Sequence, residues 1–222
     1  MGILRQRKLG ILGGTFNPIH WGHLLMAETA LEQFALNQII WVPTYCPPHK
    51  RDQELLGFEH RMEMVRRAIA DHPDFMASDV EMQRGGVSYA IATLNALDSL
   101  YADTQWHWIL GMDAFQSLPH WQNSAAIAAQ CRWLVAPRST QDAEIQCQQV
   151  AAELLIQSIQ LRWHVLHMPQ VEISSSLVRE RYQMGRSLRY WVPEPVRRYI
   201  ITHNLYQNQT NQNRTCPCPD CS

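Results

Sequence analysis

The sequence predicts an α/β protein: a parallel sheet with helices on both faces, folded as a single domain. Three observations carry that expectation. Short apolar, β-rich runs alternate with longer helical ones along the chain. Each motif with chemical character falls in a loop just after a predicted strand, where open parallel sheets bind their ligands. A chain of 222 residues with 46% hydrophobic content suits one domain with a sizeable core.

Taken in order, the first strand covers residues 9–12, an apolar run that stops at Gly13-Gly14. A helix follows over 21–34, where Leu24, Ala27, Leu31 and Phe34 recur at helical spacing. Residues 38–42 are β-branched and aromatic and close on Pro43. A helix over 58–71 ends before Pro73, and a strand over 75–80 comes next. Ser88 reads as the N-cap of a helix over 89–100. A fourth strand, the apolar run 106–110, ends at Gly111. The alternation continues with a helix over 124–130, a strand over 132–136, a helix over 142–157 and a strand over 163–167. Two helices close the pattern, at 175–184 and 194–203. From Gln207 the chain is Asn, Gln, Thr, Pro and Cys, with little to bury, so 207–222 reads as a disordered tail behind a domain of 1–206.

Composition narrows the function. A net charge of -1 gives no global attraction to nucleic acid or to an acidic membrane, so an anion must be bound by local geometry. No apolar run is long enough to span a bilayer. The basic start is followed by too short a stretch for a secretory signal, and Gln6 stands where myristoylation wants Ser or Thr. The expectation is a cytoplasmic protein. Cys46, Cys131 and Cys147 are scattered and read as reduced. Cys216, Cys218 and Cys221 lie in the tail, where a soft-metal site or a disulfide is the alternative to disorder.

The most informative stretch runs Gly13-Gly14-Thr15-Phe16-Asn17-Pro18-Ile19-His20-Trp21-Gly22-His23. Glycines permit close approach of a ligand, and the N–H groups at a helix start suit a phosphate. His20 and His23 are three apart, on one face of the first helical turn, and Gly22 leaves room beside them. The pattern lacks the Gly-Lys-Ser/Thr of a Walker loop and the second glycines of a dinucleotide fingerprint. Two histidines are too few for a zinc site, so no dedicated protein metal site is expected.

A second anion motif is Ile173-Ser174-Ser175-Ser176-Leu177-Val178-Arg179. Its serines are cap chemistry, and Arg179 on the first turn can present a guanidinium fork to the same anion. Between the two motifs lie weaker candidates. Pro47-Pro48-His49-Lys50 is a stiff loop ending in a cation. Gly111 and Asp113 end a strand, and the carboxylate can accept from ribose hydroxyls or orient a metal. Trp121 is either a stacking surface for a flat ring or, in a chain with eight tryptophans, part of the core. Arg138, just past a strand end, is a candidate contact of the same kind.

The glycine-histidine stretch resembles the signature of the His-x-Gly-His nucleotidyltransferase superfamily, and the chain as a whole resembles bacterial nicotinate-nucleotide adenylyltransferases. That family usually has Asp where this chain has Asn17. The resemblance covers about residues 9–206 and implies a Rossmann-like fold. It implies ATP binding by Gly13, Gly14, Thr15, Phe16, His20, His23, Gly111, Asp113, Ser174, Ser175, Ser176 and Arg179. His20, His23 and Arg179 would be catalytic, at least one histidine acting protonated. It implies that His49 and Lys50 lie near the mononucleotide phosphate, and Tyr89, Thr93, Trp121 and Arg138 near the acceptor. Mg²⁺ would arrive on the ATP phosphates. The reaction implied is adenylyl transfer from ATP to nicotinate mononucleotide, giving deamido-NAD and pyrophosphate, in a chain with no nucleic-acid or membrane partner and a possible homo-oligomer. The alternatives are a nicotinamide mononucleotide or pantetheine phosphate acceptor, or a nucleotide-binding protein without turnover.

Overall fold

The structure is a computed structural model that describes residues 6–48, 55–139 and 141–207. His49, Lys50 and the three tail cysteines lie outside the described residues. Six strands form one sheet: β1 (Arg7–Gly14), β2 (Gln38–Pro43), β3 (Phe75–Ala77), β4 (Thr104–Gly111), β5 (Cys131–Ala136) and β6 (Trp163–Val165), in the order β3-β2-β1-β4-β5-β6. That is the doubly wound, Rossmann-like order. The chain winds outward from β1 in one direction and from β4 in the other. Right-handed crossovers therefore put the connecting helices on opposite faces. The reversal at β1 and β4 is the switch point where such sheets leave a crevice beyond their carboxyl ends.

The helices among the described residues are α1 (Trp21–Phe34), α2 (Phe58–Ile69), α3 (Val80–Arg84), α4 (Ala90–Leu100), α5 (Met112–Gln116), α6 (Ser124–Gln130), α7 (Ala143–Ile156), α8 (Ser175–Gln183) and α9 (Glu194–Thr202). The chain divides into two compact units. The first comprises Met1–Gly13, Met26–Ile40 and Tyr89–Val171. In it β1, β4, β5 and β6 pair in parallel, from Arg7 opposite Thr104 to Leu12 opposite Ile109 and onward to Val135 opposite Val165. Gly10 is closely packed there, since a Cβ would sit 3.0 Å from the Cδ1 atoms of both Ile109 and Leu36, which would have to give way. The second comprises Gly14–Leu25, Trp41–Ser88 and Glu172–Ser222. In it α2 packs on β3 and on α9.

Three sequence expectations are corrected. The strand expected over 75–80 stops at Ala77, and α3 begins at Val80. Ser78 turns the chain there, its Oγ accepting from the Val80 N–H at 3.4 Å. The strand expected over 163–167 stops at Val165, because the His167 N–H turns out of the ladder to Gln33 Oε1. The loop expected after Gly111 is helical: α5 follows at once, then a single 3₁₀ turn, Leu118–His120. Both pieces are too short to show a periodicity.

Candidate active site

In the second unit the site is built on the loop between β1 and α1. The strand runs through Gly14, so Gly13 and Gly14 are not the turn the sequence suggested. The reversal falls at Phe16, whose φ of 46° is in the left-handed region, and at the cis peptide between Asn17 and Pro18. Gly14 is held to its size from within the loop, since a Cβ there would lie 3.2 Å from the Phe16 ring.

Four donors fix this loop by its acceptors. Arg61 Nη1 donates to the Thr15 carbonyl at 2.9 Å, and Arg179 Nη1 to the Asn17 carbonyl at 2.8 Å. Ser175 Oγ donates to the Pro18 carbonyl at 2.8 Å, and the Tyr206 hydroxyl to Asn17 Oδ1 at 2.9 Å. Across a trans peptide the C=O and the following N–H point in opposite directions. Holding the Thr15 and Pro18 carbonyls against protein donors therefore turns the Phe16 and Ile19 N–H groups the other way. That polarity suits an anion.

His20 and His23 stand beside this loop with ring centroids 3.7 Å apart. His23 Nδ1 accepts from the His20 backbone N–H at 3.2 Å, so a neutral His23 carries its proton on Nε2. Phe16 meets the His23 ring edge-on at 5.1 Å. Burial pushes the His20 ring down to about 4. Burial, and then the nearby His20, hold His23 well below its ordinary value. Without a bound anion both rings are therefore neutral at pH 7. A protonated histidine, as expected from the sequence, would therefore require a nearby anion, whose charge would raise these values. Gly22 does not leave room for a ligand: the His20 ring fills that space, 3.1 Å from where a Cβ would stand, with the Ile173 carbonyl at 3.6 Å. Gly22→Ala must displace the His20 ring and is expected to lower turnover by roughly ten- to a hundred-fold, as misplacing a reactive group does. A steady-state rate equal to wild type would show that the ring position is immaterial.

The same pair makes the fold acid-sensitive. A buried histidine with a folded value near 4 takes up its proton more readily when unfolded, so stability falls as pH drops from 6.5 toward 4. For His20 alone the loss is about 3 kcal/mol below that window. His107, buried in the first unit, is lowered to about 4 in the same way. The contribution of His20 is read by comparing melting temperatures at pH 7 and pH 4.5 for wild type and His20→Asn. A variant as acid-labile as wild type would remove His20 from the account.

On α8, Ser174 is the N-cap, its Oγ accepting from the Leu177 N–H at 3.2 Å. Ser176 Oγ accepts from Arg179 Nη2 at 3.2 Å, which orients the guanidinium. The three serines thus divide the work: one caps the helix, one ties it to the β1–α1 loop and one aims the arginine. Ser88 is not a helix cap. Tyr89 holds that place without a side-chain bond, and Ser88 Oγ instead accepts from the Cys46 N–H at 2.9 Å. The Ser88 N–H closes the pair on the Cys46 carbonyl at 2.9 Å, anchoring the residue before Pro47-Pro48.

In the first unit, Gly111 is the N-cap of α5 and a Cβ there would meet nothing within 4 Å, so open space lies beside it. Asp113, on the first turn of α5, forms an ion pair with Arg138, and both side chains are exposed. Two candidates read separately in the sequence are thus one pair. Tyr89 is partly exposed at the start of α4. Thr93 is buried and its Oγ1 bonds back to the Tyr89 carbonyl at 3.3 Å, which gives it a helix-internal contact. Trp121 is half-buried, stands edge-on to Trp108 and Trp133, and donates its indole N–H to Ser117 Oγ at 2.9 Å. The ring therefore packs in part against the aromatic core, while its intermediate burial leaves some of it exposed.

Arg61 and Tyr206 were missed in the sequence. Arg61 carried a signal, an arginine at a core position of the Phe58, Met62, Val65 stripe of α2. Tyr206 carried none.

Comparison with known proteins fits this geometry. Residues 11–181 match the model of the cytidylyltransferase-like family. A protein of Trichormus variabilis named "Probable nicotinate-nucleotide adenylyltransferase" is 48% identical over 92% of this chain and 100% of its own length. A protein of the same name from Lachnoclostridium phytofermentans is 40% identical over 90% of this chain and 100% of its own. The solved structure of Plasmodium falciparum nicotinic acid mononucleotide adenylyltransferase complexed with NaAD superposes with a TM-score of 0.69, covering 90% of this chain and 97% of that one. At 19% identity that likeness concerns the fold. With the family model matched over most of its length and close relatives matched end to end, the chain belongs to the nicotinate-nucleotide adenylyltransferases of the cytidylyltransferase-like family.

Proposed function

We propose that this protein transfers the adenylyl group of ATP to nicotinate mononucleotide, forming deamido-NAD and pyrophosphate in NAD biosynthesis. A phosphate oxygen of the mononucleotide forms a bond to the α-phosphorus of ATP. The bond from that phosphorus to the bridging oxygen breaks, and its electron pair leaves with pyrophosphate. Both reactants are anions, so catalysis is positioning and charge stabilisation rather than covalent chemistry. The observation that carries this reading is the bonding of Arg179 and Ser175 to the carbonyls of Asn17 and Pro18. It brings two anion motifs, 162 residues apart at Arg179 and Asn17, onto one loop with the histidine pair.

In this reading the Phe16 and Ile19 amides and the Nε2–H of His23 face the ATP phosphates. Arg179 holds the departing pyrophosphate, and Asp113 with Arg138 borders the nucleotide. Lys50 and His49 serve the attacking phosphate, and Tyr89 and Trp121 the pyridine ring. Mg²⁺ comes with the nucleotide, held by phosphate oxygens and water. No helix of the described residues is long and apolar enough to cross a membrane. In this reading the protein works in the cytoplasm.

The test is pyrophosphate release from ATP and nicotinate mononucleotide, with deamido-NAD identified by mass. Nicotinamide mononucleotide, pantetheine phosphate and CTP serve as competing substrates. No release from the nicotinate pair, or faster release with another acceptor, would overturn the assignment.

A further inference from the structure

The residues just after α9 reach back to the loop that opens the site. The chain turns there through two left-handed residues, Asn204 at φ 49° and Tyr206 at φ 65°. Such conformations cost energy for residues other than glycine and persist where the surroundings hold them. Between them Leu205 is buried, its N–H bonded to the Ile200 carbonyl at 3.0 Å, which fixes the turn. The turn aims the Tyr206 phenol at Asn17 Oδ1, 189 residues earlier, at 2.9 Å. Asn17 is buried at 2% exposure, and its own carbonyl receives Arg179. One residue thus joins the closing segment, the arginine helix and the β1–α1 loop.

We propose that Tyr206 is a positioning residue of the phosphate site, acting through Asn17 to set the orientation of the β1–α1 loop and of Arg179. The phenol suits this because it remains a donor across the working pH range. Burial holds it well above its ordinary value, against the opposing pull of Arg179 and Arg61. Asn17 serves as acceptor through Oδ1, and an aspartate at this position would also offer an acceptor oxygen to the phenol.

The inference rests on the loop binding ATP phosphates, and it is tested by ATP binding so that it stands apart from turnover. Calorimetric Kd values for ATP are compared for wild type, Tyr206→Phe, Asn17→Ala and the double variant, with melting temperatures alongside. Loss of one buried hydrogen bond to the loop should raise the Kd about tenfold in each single variant. The double variant should be no weaker than the worse single, because both remove the same contact. Asn17→Asp, which keeps an acceptor, should restore binding to within about threefold of wild type. Additive losses in the double variant, or a Tyr206→Phe protein that melts lower yet binds ATP as wild type does, would overturn the proposal. So would a wild-type protein that binds no ATP. A wild type that binds ATP but releases no pyrophosphate with nicotinate mononucleotide would instead overturn the adenylyl-transfer reading alone.

Discussion

Replacing His23 by alanine is expected to lower turnover by about two to four orders of magnitude, the range seen when a positioned charge-stabilising or proton-donating group is removed. The structure gives the reason in terms of one proton. The Nδ1 of His23 accepts from the His20 N–H, so the neutral ring presents Nε2–H as a donor. No protonation is needed for that donation. In the proposed reaction, phosphate charge beside the ring would raise its depressed value and make the cationic form accessible as leaving-group charge develops. The cost to folding is smaller, about 1 kcal/mol, since one hydrogen bond and the edge contact with Phe16 are lost. His23→Asn can keep the bond to the His20 N–H through its side-chain oxygen but cannot supply the imidazolium. It should fold like wild type and turn over nearly as slowly as the alanine variant. Steady-state pyrophosphate release at matched folded fraction reads both. A rate for His23→Ala within threefold of wild type would remove the ring from the mechanism.

Most of the fold was legible because its signals are local. The helices 21–34 and 124–130 were bounded to the residue, and every strand was found. The errors fall where the signal is short or non-local. The five-residue helices α3 and α5 are under two turns and show no stripe. Ser88 had the chemistry of a cap, but a partner 42 residues away, Cys46, claimed its oxygen. Gly22 was read as space for a ligand because a sequence shows a missing side chain and not what fills the gap, here the His20 ring. In the site, the two motifs were read as separate candidate anion binders. That Arg179 grips the backbone of the first motif depends on tertiary contact and left no mark on spacing. Tyr206 was missed for the same reason: its partner is at the other end of the chain.

Arg61 is the residue on which the second large effect is expected, and it acts on stability first. The side chain is 2% exposed on α2, among Phe58, Met62 and Val65, where the helix period calls for an apolar residue. Its Nε donates to the Leu56 carbonyl at 2.9 Å, and Nη1 to the carbonyls of Thr15 and Thr44 at 2.9 and 2.7 Å. The fork thus ties three chain segments to one rigid plane. Arg61→Ala removes those donors from part-buried carbonyls and leaves a cavity where the buried side chain stood, and should cost about 3–5 kcal/mol, the range for breaking a buried charged network. Arg61→Lys keeps the charge, but a single ammonium on a flexible stem cannot reproduce the fork. It should recover less than half of the loss. Arg61→Met keeps most of the volume, so the gap between Met and Ala measures the cavity and the gap between Arg and Met measures the donors. Urea unfolding at pH 7 gives all three values, the slope being unchanged if the compactness of both states is preserved. Because the Thr15 carbonyl is one of the points that sets the loop, the Met and Lys variants should also bind ATP more weakly under conditions where they are fully folded. A midpoint for Arg61→Ala equal to that of wild type would mean that the carbonyls are satisfied without it, and that the loop does not depend on α2 for its shape.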